Sequence, residues 1–104
     1  MTRRVVTTLR ADLDVESAVD QYLGEGAHDA ALGFVDALDD ARSLVAAHPS
    51  LGSSHFAIET GIDGLRSFGL RRDPFVLLYT DDSDAVRVHR VLHTSRDVPA
   101  QFTT

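Results

Sequence analysis

Phe75-Val-Leu-Leu-Tyr79, Asp81-Asp-Ser-Asp84 and Val86-Arg-Val-His-Arg-Val-Leu92, followed by His93-Thr-Ser-Arg96-Asp97, decide the fold of this 104-residue chain. The first run is unbroken apolar and aromatic, which suits a strand covered on both faces. The acidic cluster marks a turn. The second run interleaves β-branched and charged residues and reads as the antiparallel neighbour of the first. Period 2 puts Val86, Val88, Arg90 and Leu92 on one face and Arg87, His89, Val91 and His93 on the other. Arg90 is the misfit on the apolar face. A guanidinium buried there needs a carboxylate, from Asp97 or from an acid on the helices upstream.

Upstream, Leu65-Arg-Ser-Phe-Gly-Leu70 reads as a further strand and Arg72-Asp-Pro74 as the turn into Phe75. Arg4-Val-Val-Thr-Thr-Leu9 reads as a short first strand. Asp12 or Asp14 is the expected cap of a helix in which Val15, Ala18, Val19, Tyr22 and Leu23 form one apolar stripe, ended by Gly24-Glu-Gly26. A second helix is expected from about Asp29 to His48. Ala31, Phe34, Leu38, Ala41 and Val45 line its apolar side, Asp36, Asp39, Asp40 and Arg42 face water, and Pro49 stops it. The two helices form an antiparallel hairpin with one apolar side that needs the sheet. Ser50-Leu-Gly-Ser-Ser54 is a connector, His55 to Ile62 reads as a loop over a sheet edge, and Pro99 to Phe102 reads either as a helical turn or as a tail on the sheet. The fold class is α+β, a single domain over 1–104 with an N-terminal helix hairpin on a small antiparallel sheet.

Composition narrows the function. The chain has no cysteine, which excludes disulfides and thiolate metal sites and fits a reducing cytoplasm. No apolar run approaches the roughly 18 residues of a membrane span, and no signal peptide follows Met1-Thr-Arg-Arg. The net charge is -6, and all ten bases are arginine. Strong direct nucleic-acid binding is therefore not the expectation. The charge is uneven: residues 1–48 hold nine acids and four arginines, whereas 66–97 hold five acids, six arginines and two histidines.

Little of this assembles into a recognisable catalytic motif. His89 and His93 lie about 13 Å apart along a strand, too far to share a metal, and no cofactor is implied. Gly61-Ile-Asp-Gly64 lacks the lysine and following helix of a phosphate loop. Ser95, His93 and Asp97 are too close in sequence for a Ser-His-Asp relay. There remains a set of Arg66, Arg71, Arg72, Tyr79, His93 and Arg96. Arginine, tyrosine and histidine together are the groups that metal-free RNA cleavage uses, to deprotonate a 2′-hydroxyl, stabilise a phosphorane and protonate the leaving oxygen.

The helix hairpin, Pro49-Ser-Leu-Gly52, Gly64-Leu-Arg66, Phe75-Val-Leu-Leu-Tyr79 and above all Arg90-Val-Leu-His-Thr-Ser-Arg-Asp97 resemble the ParE branch of the RelE/ParE toxins of bacterial type II toxin-antitoxin modules. The resemblance runs from the first strand to Phe102. It implies a toxin that poisons DNA gyrase by protein binding and is neutralised by a ParD-like antitoxin. The RelE branch, which cleaves messenger RNA on the ribosome, implies the alternative, with Arg66, Tyr79 and His93 as its catalytic residues. A detoxified scaffold that only binds antitoxin is the third. The absence of lysine favours the ParE side, and the net acidity departs from a family that is usually basic. Arg87, His89 and Arg96, with Val91 and the groove beside the hairpin, are the expected antitoxin-binding surface, and Arg90, His93 and Asp97 the expected structural lock of the C-terminal segment.

Overall fold

A computed structural model describes residues 2–95 and 98–103 of the chain. β1 (Val5–Thr7) leads into α1 (Leu9–Gly24) and α2 (His28–Ala47), followed by α3 (His55–Thr60), β2 (Arg66–Gly69), β3 (Phe75–Asp81), β4 (Val86–His93) and α4 (Val98–Thr103). The four strands form one sheet in the order β1-β4-β3-β2. The α+β class and the hairpin-on-sheet packing are as expected. The sheet itself is mixed, because β1 pairs with β4 in parallel while the β4-β3-β2 pairs are antiparallel.

Each face of the sheet buries its own cluster. Phe75, Leu77 and Tyr79 of β3, with Val86, Val88 and Val91 of β4, pack against Ala11 and Ala18 of α1 and Phe34, Leu38, Ala41 and Val45 of α2. The expected stripe of α2 is buried throughout, whereas Leu23 of the α1 stripe stays 43% exposed. The opposite face buries Leu65, Val76, Leu78, Leu92 and Val98 under Phe56 of α3 and Phe102 of α4. Burial on both sides explains why β3 reads as a continuous apolar run. The segment 55–60, expected to be a loop, is α3; it is one and a half turns long, too short for a periodic signal.

α1 starts earlier than expected. Thr8, not Asp12 or Asp14, is its cap: the Thr8 hydroxyl accepts the Ala11 amide hydrogen at 3.1 Å. Asp12 instead accepts from the Thr7 hydroxyl at 2.7 Å. Asp14 is drawn to the sheet, for a reason that lies in β4. There Tyr79 pairs with Val88 but Leu78 pairs with Arg90, so His89 is an extra residue and the strand bulges. Two consecutive residues then share a face, and the alternation expected for 86–93 reverses beyond the bulge. Val91 joins the core under the helix hairpin, and Arg90 stands beside Leu78 on the other face of the sheet.

β1 ends at Thr7, leaving the rest of the β4 edge without a strand partner. The start of α1 supplies the missing bonds. The Thr8 amide donates to the Val88 carbonyl at 3.0 Å, and the Thr8 hydroxyl donates to the His89 carbonyl at 3.0 Å. The Asp14 carboxylate accepts the Val91 amide at 3.0 Å and two guanidinium bonds from Arg90, Nε at 2.7 Å and Nη2 at 3.0 Å. Arg90 Nη1 donates to the Gln101 carbonyl at 2.9 Å. The acid expected from the helices is thus Asp14, and Asp97 lies outside the described residues. The ion pair is largely buried, with side-chain exposures of 12% and 15%. Removing one partner strands the other charge, so Asp14→Ala is expected to lower the unfolding free energy by about 3 kcal/mol in urea titrations, and Asp14→Ala with Arg90→Met to recover part of it. A loss no larger than that of a surface substitution would contradict the role assigned to Asp14.

Candidate functional site

The sequence singled out Arg66, Tyr79 and His93. Arg66 and Tyr79 are cross-strand partners, but His93 pairs with Phe75 at the other end of β3. Four residues of strand separate the two ends, about 13 Å. The three side chains do not converge on one substrate atom.

Each has a local role. The Tyr79 ring is fully buried, and its hydroxyl donates to the Pro49 carbonyl at 2.7 Å while accepting the Gly52 amide hydrogen at 2.9 Å. Burial pushes the phenol up from its usual value, so it stays protonated at neutral pH. A side chain at position 52 has no room: a Cβ there would lie 2.8 Å from the Tyr79 hydroxyl and 2.9 Å from the Ser67 carbonyl. Arg66 Nη1 donates to the Gly52 carbonyl at 2.8 Å and the Ser50 carbonyl at 3.2 Å. Together the two residues pin the connector from α2 to α3.

His93 stands edge-on to Phe75, with ring centroids 5.1 Å apart, beside the cluster of Tyr22, Phe34 and Phe75. Tyr22 donates to Asp73 at 2.9 Å, and burial with that carboxylate pushes its phenol up to about 12. Ser95, set aside on sequence grounds, does reach His93: its hydroxyl lies 2.6 Å and its amide 3.1 Å from Nδ1. A backbone amide only donates, so Nδ1 is the acceptor and the neutral ring carries its proton on Nε2. Among the described residues no carboxylate approaches Nε2 to orient the ring, so the pair closes a turn and lacks the third member of a relay.

The expected antitoxin-binding set is also divided. The Arg87 guanidinium is held by Asp82 and by Asp84 at 2.9 Å, and it keeps the Asp84 carboxyl below its usual value. Arg3 joins this turn, bonding the Asp82 carbonyl and lying 3.2 Å from Asp81. Half-buried His89 bonds Thr80 Oγ1 through Nε2 at 2.9 Å and packs near Phe102. Val91 lies on the opposite face, a consequence of the bulge, and is buried there. Arg96 and Asp97 lie outside the described residues, so of the expected lock only Arg90 and His93 are placed. The groove expected beside the hairpin was named without its lining; a hollow there lies between Ala37, Ala41, Leu44 and Phe68. Its one signal was Leu44, a leucine off the buried stripe of α2 and 45% exposed.

Two predictions follow from these contacts. Tyr79→Phe takes the partner from the buried Gly52 amide and the part-buried Pro49 carbonyl, so its urea midpoint should correspond to a loss of about 2 kcal/mol, against almost none if the hydroxyl were idle. Burial lowers the pKa of His89 from the ordinary 6.5, with Asp82 opposing that shift and Arg87 reinforcing it. The unfolded chain therefore takes up this proton first, and stability falls as pH drops below 6.5 toward the folded-state value. Urea titrations from pH 7 to 5 should show a shallower decline for His89→Gln than for the unsubstituted protein; equal slopes would contradict a buried neutral ring.

Comparison with known proteins agrees with this architecture. No curated protein sequence matches the chain. Among solved structures, the fold is similar to a chain of the "Chromosomal ParDE TA system from P. aeruginosa", at a TM-score of 0.72 and 18% identity, covering 88% of this chain and 96% of that one. The family model described as "ParE toxin of type II toxin-antitoxin system, parDE" matches residues 5–98, from the first residue of β1 to the first of α4. The chain belongs to the ParE toxin family of type II toxin-antitoxin systems.

Proposed function

We propose that this ParE-family chain is a toxin that inhibits DNA gyrase by binding it, in the cytoplasm, and that a ParD-like antitoxin neutralises it. The observation that carries the binding mode is the use already made of the polar side chains. Arg66 and Tyr79 hold a connector, Arg90 holds two helices, Arg87 holds a turn, and His93 closes another. The surface instead presents large apolar side chains, with Leu9 71%, Leu13 53%, Leu32 65% and Ile58 91% exposed. Such side chains are the raw material of protein interfaces. The net charge of -6 and the lack of lysine favour a protein target over direct contact with nucleic acid. The similar solved chain comes from a ParDE system, which supports an antitoxin as the second partner. Among the described residues no helix is long and apolar enough to cross a membrane.

The test pairs two assays on the purified chain. Gyrase supercoiling should stop on addition of the chain and resume when the product of the neighbouring reading frame is added, while transcripts on translating ribosomes stay intact. Cleaved transcripts with unimpaired supercoiling would overturn the proposal in favour of the RelE-type ribonuclease. Neither effect, with unimpaired growth of cells expressing the chain, would leave a detoxified scaffold.

A further inference from the structure

Each helix of the hairpin has a second side, turned outward, that carries large apolar residues. On α1, Leu9, Leu13, Glu16 and Asp20 follow one another at helical spacing, turned away from buried Ala11 and Ala18. On α2, Leu32, Val35, Asp36 and Asp39 recur in the same way, turned away from buried Phe34, Ala41 and Val45. All of these outward residues are exposed. The core is complete without them, since the opposite stripes of both helices fill it. The outward leucines and valine therefore serve neither the hairpin nor the sheet, and among the described residues nothing covers them.

The charge is as one-sided as the apolar surface. Residues 9–47, the two helices and their turn, hold nine acids and two arginines, a net of -7; the other 65 residues hold seven acids and eight arginines, a net of +1, which accounts for the total of -6. Two of the nine acids are engaged by arginines outside the hairpin, Asp14 by Arg90 and Asp40 by Arg71. Glu16, Asp20, Asp36 and Asp39, which flank the outward leucines and valine, have no arginine within ion-pairing distance among the described residues. A face left both apolar and unneutralised favours a partner that brings apolar side chains and positive charge together. A second copy of this chain would bring the same negative face, so stacking hairpin on hairpin is opposed.

We propose that the outward face of the hairpin is where this chain holds its target, docking on an electropositive surface of gyrase. The identity of the target rests on the function proposed above; the face and the sign of its partner rest on the two helices. An enzyme that handles duplex DNA presents arginine and lysine to the phosphates, so a surface of that sign is available on it. Leu13 and Leu32, one on each helix, are the apolar anchors, and the four unpaired acids meet the cations around them. Burial of the leucines supplies affinity, while the charge speeds encounter and excludes partners of the same sign. Eight of the ten arginines lie outside the hairpin, which leaves a partner of the opposite sign a separate surface.

The test uses the full chain, purified gyrase and the product of the neighbouring reading frame. One variant reverses the four acids, Glu16→Lys/Asp20→Lys/Asp36→Lys/Asp39→Lys, and a second, Leu13→Ser/Leu32→Ser, removes the anchors. Every substituted side chain is exposed, so both variants should remain folded at the assay temperature. Each should raise the concentration that half-inhibits supercoiling about tenfold or more, while binding of the neighbouring frame's product stays within about twofold. Raising salt from about 50 to about 200 mM should weaken gyrase binding by the unsubstituted chain and leave that of the charge-reversed variant no weaker. Undiminished inhibition by both variants overturns the inference and leaves the gyrase reading standing. Undiminished inhibition with weakened binding of the second protein overturns it in favour of an antitoxin contact. Self-association of the unsubstituted chain that the leucine variant abolishes, with inhibition intact, overturns it in favour of a homodimer face. Failure of the unsubstituted chain to inhibit gyrase at all removes both the inference and the reading on which it rests.

Discussion

A carboxylate on a helix takes the place of a missing strand. β1 is three residues long, so β4 loses its neighbour halfway, and the orphaned amide of Val91 is a donor that burial would otherwise leave unpaired. Asp14 accepts it and, with the same carboxylate, the guanidinium of Arg90. Helix, bulge and C-terminal segment are thereby tied at one point, because Arg90 also holds the Gln101 carbonyl of α4. The bulge at His89 is what aims Arg90 toward α4 while letting Val91 reach the hairpin core. Without that extra residue the two would exchange faces, and every side chain from 90 to 93 would meet the wrong environment.

The same economy governs the connector between the helices and the second half of the sheet. A tyrosine buried in the hairpin core places its one polar atom where Pro49 and Gly52 need a partner, and an arginine on the adjacent strand collects the neighbouring carbonyls. Groups that would suit general acid-base chemistry are thus engaged in closing the fold. These contacts support the proposal that this ParE-family chain acts through the surfaces it presents. The groove between α2 and β2 and the exposed leucines of the hairpin are the surfaces it offers.

Much of this architecture was legible in the residues. The 3.6-residue stripe of α2 and the apolar run of β3 are strong signals because burial on one or both faces dictates them. The need of Arg90 for a carboxylate was legible too, from Asp97 or from the helices, although not that Asp14 would supply it. The bulge was not: no glycine marks it, and the run from Val86 to Leu92 fits simple alternation. From that one missed residue came the misassigned face of Val91. The cap at Thr8 was hidden by two better-known capping residues downstream, each claimed by a different partner. The parallel pairing of β1 depends on chain reversal through both helices, which local sequence does not encode. A groove beside the hairpin was expected, but its lining was not legible, because it consists largely of small side chains whose meaning lies in the space they leave.

The central claim is that the sheet's arginine, tyrosine and histidine serve the fold and the ParE-family activity comes from surface binding. Its most direct test is growth arrest by the Arg66→Lys/His93→Gln double variant, expressed at matched soluble level and checked to remain folded at the growth temperature. A structural role predicts arrest as strong as that of the unsubstituted chain. Loss of arrest in a variant that remains folded and soluble would contradict it and return these residues to catalysis.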